Sequence, residues 1–478
     1  MNFRSPVVLT FAAIVCLVGL AGVFWIHSTA AAPSRPNILV ILSDDQRLDD
    51  MRALPRTQAL IGQHGTTFAN AYVTTPLCCP SRATLLTGQY AHNNHVLDNG
   101  PPLGGYGRLD HTNTLAVWLQ DAGYYTAHLG KYLNFYGVTS PPVVPPGWSR
   151  WFGLVDPSTY HMYDYTVDDD GTLVTYGHAP SDYQTDVLAQ KAEEVIRDRA
   201  GTGQPFFMTV TPIAPHLEGG DGAGAGALLQ PAPRHQGRFR RARLPGRAAF
   251  NEADVLDKPA YIQARPRFIP KRWKEILRIH RARLASLLAL DDLVERLVTA
   301  LQETGQLENT VIVFTSDNGF FLGEHRLPEG KYYPYEEAIH VPLLIRGGGF
   351  PAAHTAQQIV GNVDLAPTFL ALAGADAGRV VDGLPLLPLA LDPDLEKDRA
   401  LLIEGFSHGR RAQLAYAGLR TGRWQYTEYE TGETELYDLQ ADPHELDSRH
   451  AAPQLAGVRA ALAARLEKLR DCAGETCR

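Results

Sequence analysis

The sequence predicts an α/β protein: a mostly parallel sheet with helices on both faces, followed by a small C-terminal α+β domain. Short, continuous apolar runs recur between residues 37 and 345, and helical stretches separate them. Strands that alternate with helices in this way form parallel sheets covered on both faces. After residue 396 the pattern changes to closely spaced short strands, which favour a separate antiparallel sheet. A chain of 478 residues, 45% of them hydrophobic, has enough apolar side chains for one large and one small domain.

The first predicted strand, Asn37 to Ser43, shows why the large sheet should be buried. It is an uninterrupted apolar run that follows Pro36 and ends at acidic residues, as in strands covered on both faces. Four further predicted strands cover residues 126–129, 206–211, 311–315 and 341–345. The clearest helix spans Leu284 to Leu301, where leucine and valine recur at helical spacing. Because ligands bind beyond the carboxyl ends of such strands, we expect the polar residues that follow them to converge on one pocket.

The N-terminus predicts export. Arg4 precedes an apolar run from Val7 to Ile26, and small residues at 28–32 offer a cleavage site. We expect residues 1–32 to be a signal peptide, with an uncleaved membrane anchor as the alternative, because the run is nearly long enough to span a bilayer. In either case we expect the folded part to lie outside the cytoplasm, either secreted or anchored to the membrane by its N-terminal segment.

Charge and cysteine content narrow the class of partners. The formal net charge of -8 argues against a nucleic-acid-binding protein and against general binding to membrane surfaces. Membrane contact is therefore expected only through a retained N-terminal segment, and any polyanion site must be local. Cys472 and Cys477 are most simply a small disulfide, because no second Cys or His pair accompanies them to form a metal clip.

A short motif, Cys78-Cys79-Pro80-Ser81-Arg82, is the feature around which we expect the site to form. It reads as a loop that leads into a helix, with Pro80 at the first helical position and Gly88 at the end. A helix N-terminus attracts anions, and Arg82 adds a guanidinium group suited to tetrahedral oxyanions. Cys78 is therefore expected to face bound sulfate or phosphate, whereas a lone cysteine beside apolar residues would be only a small buried hydrophobe.

The spacing Cys78-x-Pro-Ser-Arg82, followed by Leu86-Thr-Gly88, resembles the signature of the type I sulfatases. The resemblance implies an alkaline-phosphatase-like sandwich, in which a large mixed, mostly parallel sheet lies between helices. It also implies that a formylglycine-generating enzyme oxidises Cys78 to formylglycine and that Cys79 is the variable residue of the signature. One hydroxyl of the hydrated aldehyde then attacks sulfur, and the second hydroxyl later expels sulfate and restores the aldehyde.

Four hard oxygen donors follow two distant strands: Asp44, Asp45, Asp317 and Asn318. This donor set suits Ca²⁺ or Mg²⁺ better than Zn²⁺. Either pair alone is better explained by helix capping or by an Asp-Asn-Gly turn. Together with the cysteine motif, the four residues resemble the sulfatase metal site. The resemblance implies that they surround one Ca²⁺ together with the formylglycine at Cys78, with Mg²⁺ as the alternative ion.

Two lysines and one histidine are assigned by the resemblance alone. Composition would not distinguish Lys131 or Lys331 from solvated surface lysines. By resemblance, both bind the sulfate group, and Lys331 also assists the leaving oxygen. His216 matches the family's pocket histidine, which contacts substrate and is a candidate acid for that oxygen. The implied catalytic set is Cys78, Arg82, Lys131, His216 and Lys331.

Three further histidines are weaker candidates for substrate contact. His325 lies in Gly323-Glu-His325, and His92 and His95 follow the cysteine motif. A surface or loop histidine with satisfied hydrogen bonds explains each of them at least as well. We retain His325 as a substrate-binding candidate beside Lys131, His216 and Lys331.

Additional segments resemble the N-acetylglucosamine-6-sulfatase branch of the family, among them Tyr90-Ala-His-Asn-Asn-His-Val96 and Gly130-Lys-Tyr-Leu-Asn134. The likeness extends over residues 36–349. Many sulfatases carry a histidine two residues after the first pocket lysine, where this chain has Leu133. The glucosamine-6-sulfatase branch has Leu-Asn at the same place, so the departure supports the branch. It also leaves His216 with more of the acid and base burden.

The rest of the chain gives domain limits and one basic segment. We expect a catalytic domain over residues 36–388 and a C-terminal domain over residues 396–478. Predicted C-terminal strands cover residues 401–405, 413–419, 424–429 and 434–439, with a hairpin turn at Gly432 and a helix over 453–469. In the larger domain, the Gly/Ala-rich segment 219–227 leads into a basic loop at residues 234–247. A solvated loop is the simpler interpretation, and a contact for a sulfated polymer is the alternative.

The sequence therefore predicts hydrolysis of sulfate esters, with the 6-O-sulfate of N-acetylglucosamine or a related sulfated glycan as substrate. One alternative is a phosphodiesterase or phosphonate monoester hydrolase of the same superfamily. Another is an arylsulfatase or alkyl sulfatase with a substrate that is not a sugar. A carbohydrate-binding protein without enzymatic activity would follow if Cys78 were never oxidised.

Overall fold

The described part of the chain forms three sheets, of ten, four and two strands. The computed structural model describes residues 1–2, 35–138, 141–219, 229–407 and 414–478. The predicted export segment, apart from residues 1 and 2, lies outside the described residues, as does the Gly/Ala-rich segment from residue 220 onward. Within the described ranges, no helix is long and apolar enough to cross a bilayer.

The strands of the three sheets are short, as is usual for globular domains. They are β1 Asn37–Ser43, β2 Gly65–Tyr72, β3 Tyr125–Gly130, β4 Arg150–Leu154, β5 Thr166–Asp169, β6 Thr172–Thr175, β7 Phe206–Thr211, β8 Thr310–Ser316, β9 Phe321–Leu322, β10 Glu329–Gly330, β11 Leu343–Arg346, β12 His354–Gly361, β13 Ala400–Gly405, β14 Tyr416–Thr421, β15 Trp424–Tyr429 and β16 Thr434–Asp438.

The helices range from single turns to one long helix against the sheet. They are α1 Pro55–Thr57, α2 Cys78–Thr87, α3 Ala91–Asn94, α4 Leu115–Asp121, α5 Gln184–Arg199, α6 Ala260–Gln263, α7 Pro270–Glu303, α8 Glu336–Ile339, α9 Leu365–Ala373, α10 Leu386–Leu391 and α11 Ala456–Leu469. The predicted helix 284–301 is the apolar half of α7, which begins earlier, at Pro270, because proline suits a first helical position.

The large sheet confirms the predicted fold class. Its strand order is β12-β2-β11-β8-β1-β7-β3-β4-β5-β6, and the strands from β8 to β4 run parallel to one another. The strand predicted at 341–345 is β11, and it runs antiparallel to both of its neighbours. In the described chain, no long crossover helix between β8 and β11 returns the chain to the edge of the sheet at which β8 begins. β11 therefore starts from the edge at which β8 ends, and so it runs antiparallel to β8.

Two apolar layers cover the faces of this sheet, so that it is a helix-sheet-helix sandwich. Along β1, Leu39 and Ile41 point into the layer that contains α5 and α7. Ile38 and Val40 point into the opposite layer, which contains α2, α4 and α9. All of these strand residues are buried, so the uninterrupted apolar run of β1 follows from burial on both faces.

The strand register determines where the polar residues meet. Ser43 of β1 pairs with Ser316 of β8, so the residues that follow the two strands leave the sheet side by side. Gly130 of β3 pairs with Thr211 of β7, which brings Lys131 beside the segment that leads to His216. The carboxyl ends of four neighbouring strands therefore meet at one place on the edge of the sheet.

The C-terminal sheet is antiparallel in the order β13-β14-β15-β16. Gly432, with a φ of 83°, lies in the turn between β15 and β16, as predicted. The predicted strand 413–419 corresponds to β14, which begins at Tyr416, and residue 413 lies outside the described ranges. Cys472 and Cys477 form the predicted disulfide and pack with α11 against this sheet. Residues 35–478 form one compact unit, and the boundary between 388 and 396 stays a prediction.

Candidate active site

Cys78 occupies the first position of α2, which corrects the predicted start of the helix. Leu77 is the extended residue before the helix, and Ser81 N-H donates to its carbonyl (3.0 Å). Pro80 was expected at the first position but lies at the third, which is still within the turn whose N-H groups have no intrahelical acceptor. Gly88 ends the helix in the left-handed conformation, with a φ of 66°, as predicted.

The Cys78 side chain lies between two carboxylates and a lysine. Its Sγ is 3.4 Å from Asp44 Oδ1, and Lys331 Nζ donates to the same sulfur (2.7 Å). Lys331 also donates to Asp45, and Lys131 donates to Asp44. Two aspartates that follow β1 are thus each paired with a different lysine, and Cys78 is adjacent to both pairs.

Arg82 connects the two pairs of predicted metal ligands. Its Nε donates to Asp317 Oδ2 (2.8 Å), and its Nη2 is 3.5 Å from Asp44 Oδ2. Its Nη1 donates to the carbonyl oxygen of Lys131 (2.6 Å). The side chain is only 3% exposed, so these are buried, charge-assisted contacts. Arg82 therefore fixes the carboxylates that follow β1 and β8 relative to the lysine that follows β3.

The predicted metal ligands lie together and offer oxygen atoms. Asp45 N-H donates to Asp317 Oδ1 (3.1 Å), and Asn318 Nδ2 donates to Asp45 Oδ1 (2.6 Å). Asn318 Oδ1 is buried and accepts no hydrogen bond from the described residues. One ligand atom each from Asp44, Asp45, Cys78 and His216 lies within 4.8 Å of the others. Carboxylate and amide oxygens in this arrangement fit a hard divalent cation.

His216 faces this cluster through one ring nitrogen. Its Nδ1 is 2.6 Å from the carbonyl oxygen of Leu217, a contact that holds the proton on Nδ1 of the neutral ring. Its Nε2 is 3.6 Å from Asp45 Oδ2. The ring of Tyr160 packs against the imidazole with 4.6 Å between ring centroids, and Lys131 Nζ is 4.8 Å from the Tyr160 ring centre. Tyr160 is a site residue that no sequence motif identified.

Electrostatic interactions keep the site ionised. Burial alone would raise the pKa of Asp44, but its neighbours, above all Lys131, lower it well below its ordinary range. Burial alone would lower the pKa of Lys331, but Asp45 and its neighbours raise it above its ordinary value. Burial lowers the pKa of His216, and burial together with Asp44 raises the pKa of Cys78. The resting site therefore contains an ionised Asp44, protonated lysines and a neutral histidine, whereas burial, with Asp44 nearby, raises the pKa of Asp317.

Arg283 supports the site from below and was not predicted. This fully buried residue of α7 donates to the backbone carbonyl oxygens of Asp45 and Pro215 (3.0 Å for the latter). It therefore fixes the loops that follow β1 and β7 without facing Cys78 directly. Arg283 lies within the apolar stripe of α7, one turn after Ile279, and this position in the sequence could have indicated that its side chain is buried.

The weaker histidine candidates lie in different surroundings. His325 is fully buried, and within the described residues its side-chain contacts are with Glu252 and Tyr335, with Glu337 farther away, rather than with the cluster around Cys78. Its role as a substrate contact stays a prediction. His95 is exposed at the end of α3. His92 is a satisfied histidine, which was the simpler interpretation of the sequence.

His92 connects α3 to the C-terminal sheet and should make stability depend on pH. Its Nδ1 is 2.7 Å from Glu404 Oε1, and its Nε2 is 2.9 Å from the Cys472 carbonyl oxygen. Although burial alone would lower the pKa of His92, Glu404 raises it from 6.5 to about 9. Because the pKa of His92 is raised in the folded state, its contact with Glu404 stabilises the folded protein fully below pH 6.5. This stabilisation is lost as the pH rises through about 9.

Between these two pH values we expect the unfolding free energy of the wild type to fall by about 2 kcal/mol more than that of His92→Gln. The expected difference is this small because the His92 ring is partly solvated. Urea unfolding at several pH values measures the difference. His95→Gln, at the exposed neighbouring histidine, should keep the wild-type pH profile. Parallel profiles for the wild type and His92→Gln would contradict the assignment.

Comparison with known proteins relates the chain to sulfatases along most of its length. The family profile described as Sulfatase matches residues 36–375, and the profile described as N-sulphoglucosamine sulphohydrolase, C-terminal, matches residues 323–472. The chain is 35% identical to N-acetylglucosamine-6-sulfatase of Homo sapiens, over 97% of this chain and 89% of that protein. It is 36% identical to an arylsulfatase of Volvox carteri, over 97% and 78% of the two chains.

Solved structures agree with the sequence comparisons. A protein solved in complex with its substrate D-glucosamine-2-N,6-O-disulfate is similar to this chain with a TM-score of 0.73 and 26% identity. The likeness covers 91% of this chain and 97% of that one.

Proposed function

The chain belongs to the sulfatase family and is a sulfuric ester hydrolase, and from this premise we propose that it hydrolyses the 6-O-sulfate of N-acetylglucosamine or of a related sulfated glycan. The observation that carries the chemistry is the position of Cys78 at the start of α2, between Asp44 and Lys331. The choice of sugar rests on the identity to the human N-acetylglucosamine-6-sulfatase over nearly the whole chain. The similar structure that contains a glucosamine disulfate supports the same class of substrate.

We further propose that a formylglycine-generating enzyme converts Cys78 to formylglycine and that the site holds Ca²⁺, with Mg²⁺ as the alternative. The residues that would hold the ion are Asp44, Asp45, Asp317, Asn318 and the modified residue 78. The donor set is mostly hard oxygen, and Asn318 Oδ1, which accepts no hydrogen bond from the described residues, would give the ion a neutral ligand. When present, the ion supplies positive charge beside the sulfate oxygens, and the hydrated aldehyde supplies the nucleophilic hydroxyl and the hydroxyl that later releases sulfate.

The chain's own cations bind and stabilise the group that is transferred. In this proposal the negatively charged sulfate oxygens lie beside Lys131 and Lys331. Burial alone would lower the pKa values of both lysines, but Asp44 raises that of Lys131 and Asp45 raises that of Lys331. Arg82 acts mainly by positioning, because its guanidinium is paired with Asp44 and Asp317. Cations held in place before the reaction stabilise developing charge without reorganisation at the moment of transfer.

We propose that either Lys331 or His216 gives a proton to the departing alcohol. Lys331 Nζ lies 2.7 Å from Cys78 Sγ, so it is close to where the nucleophilic atom would stand. His216 presents Nε2 to the same cluster, while its Nδ1 proton is held by the Leu217 carbonyl. His216 must take up a proton at Nε2 before it can donate one there, whereas Lys331 is already protonated.

A cavity next to the cluster has the size of a sugar site. It has a volume of about 330 Å³ and is lined by Phe135, Asp156, Tyr160 and His161 among others. Tyr160 forms its wall on the side of His216 and Lys131. Carbohydrate sites commonly combine aromatic rings with a few polar groups, and this volume lies in the usual range for small ligands. The cavity therefore accommodates the alcohol part of the substrate in the proposal.

The basic loop 234–247 contains both anchored and exposed arginines. Arg234 pairs with Asp186 and Asp292, and Arg247 pairs with Asp49 and Glu337. Arg238, Arg240, Arg241 and Arg243 are exposed. The anchored residues hold the loop on the protein, which leaves the exposed ones available to a sulfated polymer.

We expect replacement of Arg240 and Arg241 by alanine to raise KM for a sulfated polymer about 5-fold at low salt and to leave KM for the monosaccharide unchanged. Steady-state kinetics with both substrates measures the difference. Replacement of the exposed Lys397 and Lys468 in the C-terminal part should change neither value. Equal effects of the arginine changes on both substrates would show that the loop is solvated surface.

We also propose that the protein is exported from the cytoplasm. The apolar N-terminal run and the small residues that follow it support translocation of the folded part out of the cytoplasm, by a cleaved signal or a retained anchor. N-terminal sequencing of the natively produced protein distinguishes the two. A start near residue 33 indicates cleavage, and a start at Met1 indicates an anchor.

The experiment that tests the proposed function is ion-chromatographic measurement of sulfate release from N-acetylglucosamine 6-sulfate. An aryl sulfate, choline sulfate and a phosphodiester are assayed in parallel, with Cys78→Ala as the control. Release from the sugar, lost in the control, supports both the chemistry and the substrate. Release only from another sulfate ester would reject the sugar, and cleavage of the phosphodiester alone would favour the phosphodiesterase alternative.

A further inference from the structure

A second buried cluster of metal-ligand side chains lies away from the Cys78 site. His325, Glu337 and Glu445 each direct one ligand atom toward the others, and these three atoms lie within 4.8 Å of one another. The residues come from the turn after β9, from α8 and from the segment after β16. Their exposed fractions are 0%, 4% and 1%. Three separate parts of the chain therefore place ligand-type atoms at one buried point.

The facing atoms are unsatisfied. In the ranges that the structure describes, His325 Nε2, Glu337 Oε2 and Glu445 Oε1 are buried and have no hydrogen-bond partner. His325 Nε2 is 3.8 Å from Glu337 Oε2, which is too long for a hydrogen bond. A buried polar atom without a partner is costly, and three that converge are more so. A group that binds all three atoms at once removes that cost.

The other atom of each side chain is held in place. His325 Nδ1 is 2.8 Å from Glu252 Oε2. Glu337 Oε1 accepts a hydrogen bond from Arg247 (3.0 Å), and Glu445 Oε2 accepts one from the N-H of Glu336 (2.9 Å). A carboxylate at Nδ1 keeps the imidazole proton on that nitrogen and leaves the Nε2 lone pair free, which is the usual support of a metal-bound histidine.

Charge balance and access also favour a cation. Glu252 is paired with Lys258 (3.2 Å) and Glu337 with Arg247, whereas no ion pair of Glu445 occurs in the part of the chain that the structure describes. A cavity of about 610 Å³ is lined by Glu337, so open space reaches one of the three residues.

We propose that His325, Glu337 and Glu445 form a second divalent-metal site, suited to Zn²⁺. One imidazole nitrogen and two carboxylate oxygens form a three-ligand set that leaves a fourth position for water, as in many zinc sites. Ca²⁺ would require six or more oxygen ligands, which these three side chains do not supply. The bound ion connects the segment that contains Glu445 to the turn after β9 and to α8, so its role is structural.

Zinc binding by the full chain tests the proposal. The chain should carry Cys78→Ala, because a thiolate beside Asp44 and His216 would be a competing zinc ligand. Equilibrium dialysis against Zn²⁺ in the presence of excess Ca²⁺, followed by elemental analysis, gives the stoichiometry and the Kd. We expect one tightly bound Zn²⁺ per chain, and a Kd at least ~100-fold weaker after the further change His325→Gln.

His340→Gln is the matched control in the same background. His340 lines the 610 Å³ cavity, but its two ring nitrogens are satisfied by Glu336 and by the carbonyl oxygen of Ala69, so zinc binding should be unchanged. If His325→Gln does not fold, Glu445→Gln provides the same test, since an amide removes the carboxylate charge at nearly constant shape. Zinc should also raise the Tm of the Cys78→Ala chain and not that of the double variant. Absence of bound zinc from the Cys78→Ala chain, or equal binding after His325→Gln, would overturn the proposal.

Discussion

Replacement of Cys78 by alanine is expected to reduce steady sulfate release at least ~10⁴-fold, because it removes the nucleophile itself. Replacement by serine should give a different result. A serine hydroxyl can attack sulfur once, but it has no second hydroxyl from which to expel sulfate, so the Cys78→Ser chain forms product at most once per active site. Rapid-quench measurement of alcohol and sulfate release on both variants distinguishes a complete loss from a single turnover.

The neighbouring cysteine provides the control for this pair. Cys79 is as deeply buried as Cys78, but it faces an apolar layer of the core rather than the carboxylates. Cys79→Ala should retain activity within about tenfold and lose mainly stability, by about 1–2 kcal/mol for a small cavity. Steady turnover by Cys78→Ser would refute the mechanism.

The second large effect is expected at the proton donors and depends on the leaving group. Lys331→Ala should lower kcat for the sugar sulfate about 10³-fold. The decrease in kcat for a nitrophenyl sulfate should be about 100 times smaller, that is about 10-fold, because a nitrophenolate leaves without a proton. The residual loss for the aryl ester reflects the missing charge beside the sulfate group. His216→Gln is measured on the same two substrates, and the variant with the larger difference between them identifies the proton donor.

Lys131→Ala is the matched control for the leaving-group experiment. Lys131 contacts Asp44 and the Tyr160 ring, and it is assigned to sulfate binding rather than proton transfer. Its removal should lower both rates by the same factor. Equal factors for both substrates in Lys331→Ala and in His216→Gln would show that neither residue gives the proton to the alcohol.

The strands that carry the site could be predicted because they are buried on both faces. The runs at 37–43 and 206–211 became β1 and β7 with the same bounds. The register of β1 with β8 then placed Asp44 and Asp45 beside Asp317 and Asn318, as the rule for carboxyl strand ends requires. The direction of β11 could not be predicted from the sequence. A strand runs parallel to its neighbour only if the chain first crosses back to the opposite edge of the sheet, and an apolar run does not indicate whether it does.

Residues that act through packing were missed for a different reason. Tyr160 reaches the site from a short turn of 3₁₀ helix after β4, and nothing in its local sequence indicates that its ring lies between His216 and Lys131. Arg283 lies among leucines of α7, where a charged residue signals a buried partner but not which one. His325 was considered as a substrate contact because of its motif, and only the three-dimensional structure reveals the two glutamates around it.

Mass spectrometry of the peptide that contains residue 78 tests the formylglycine mechanism most directly. It is done on natively exported protein whose sulfate release from N-acetylglucosamine 6-sulfate is assayed in the same sample. We expect an aldehyde in place of the thiol at residue 78, and a turnover rate that rises in proportion to the modified fraction across preparations. Full activity in a preparation whose residue 78 is unmodified cysteine would contradict the formylglycine mechanism.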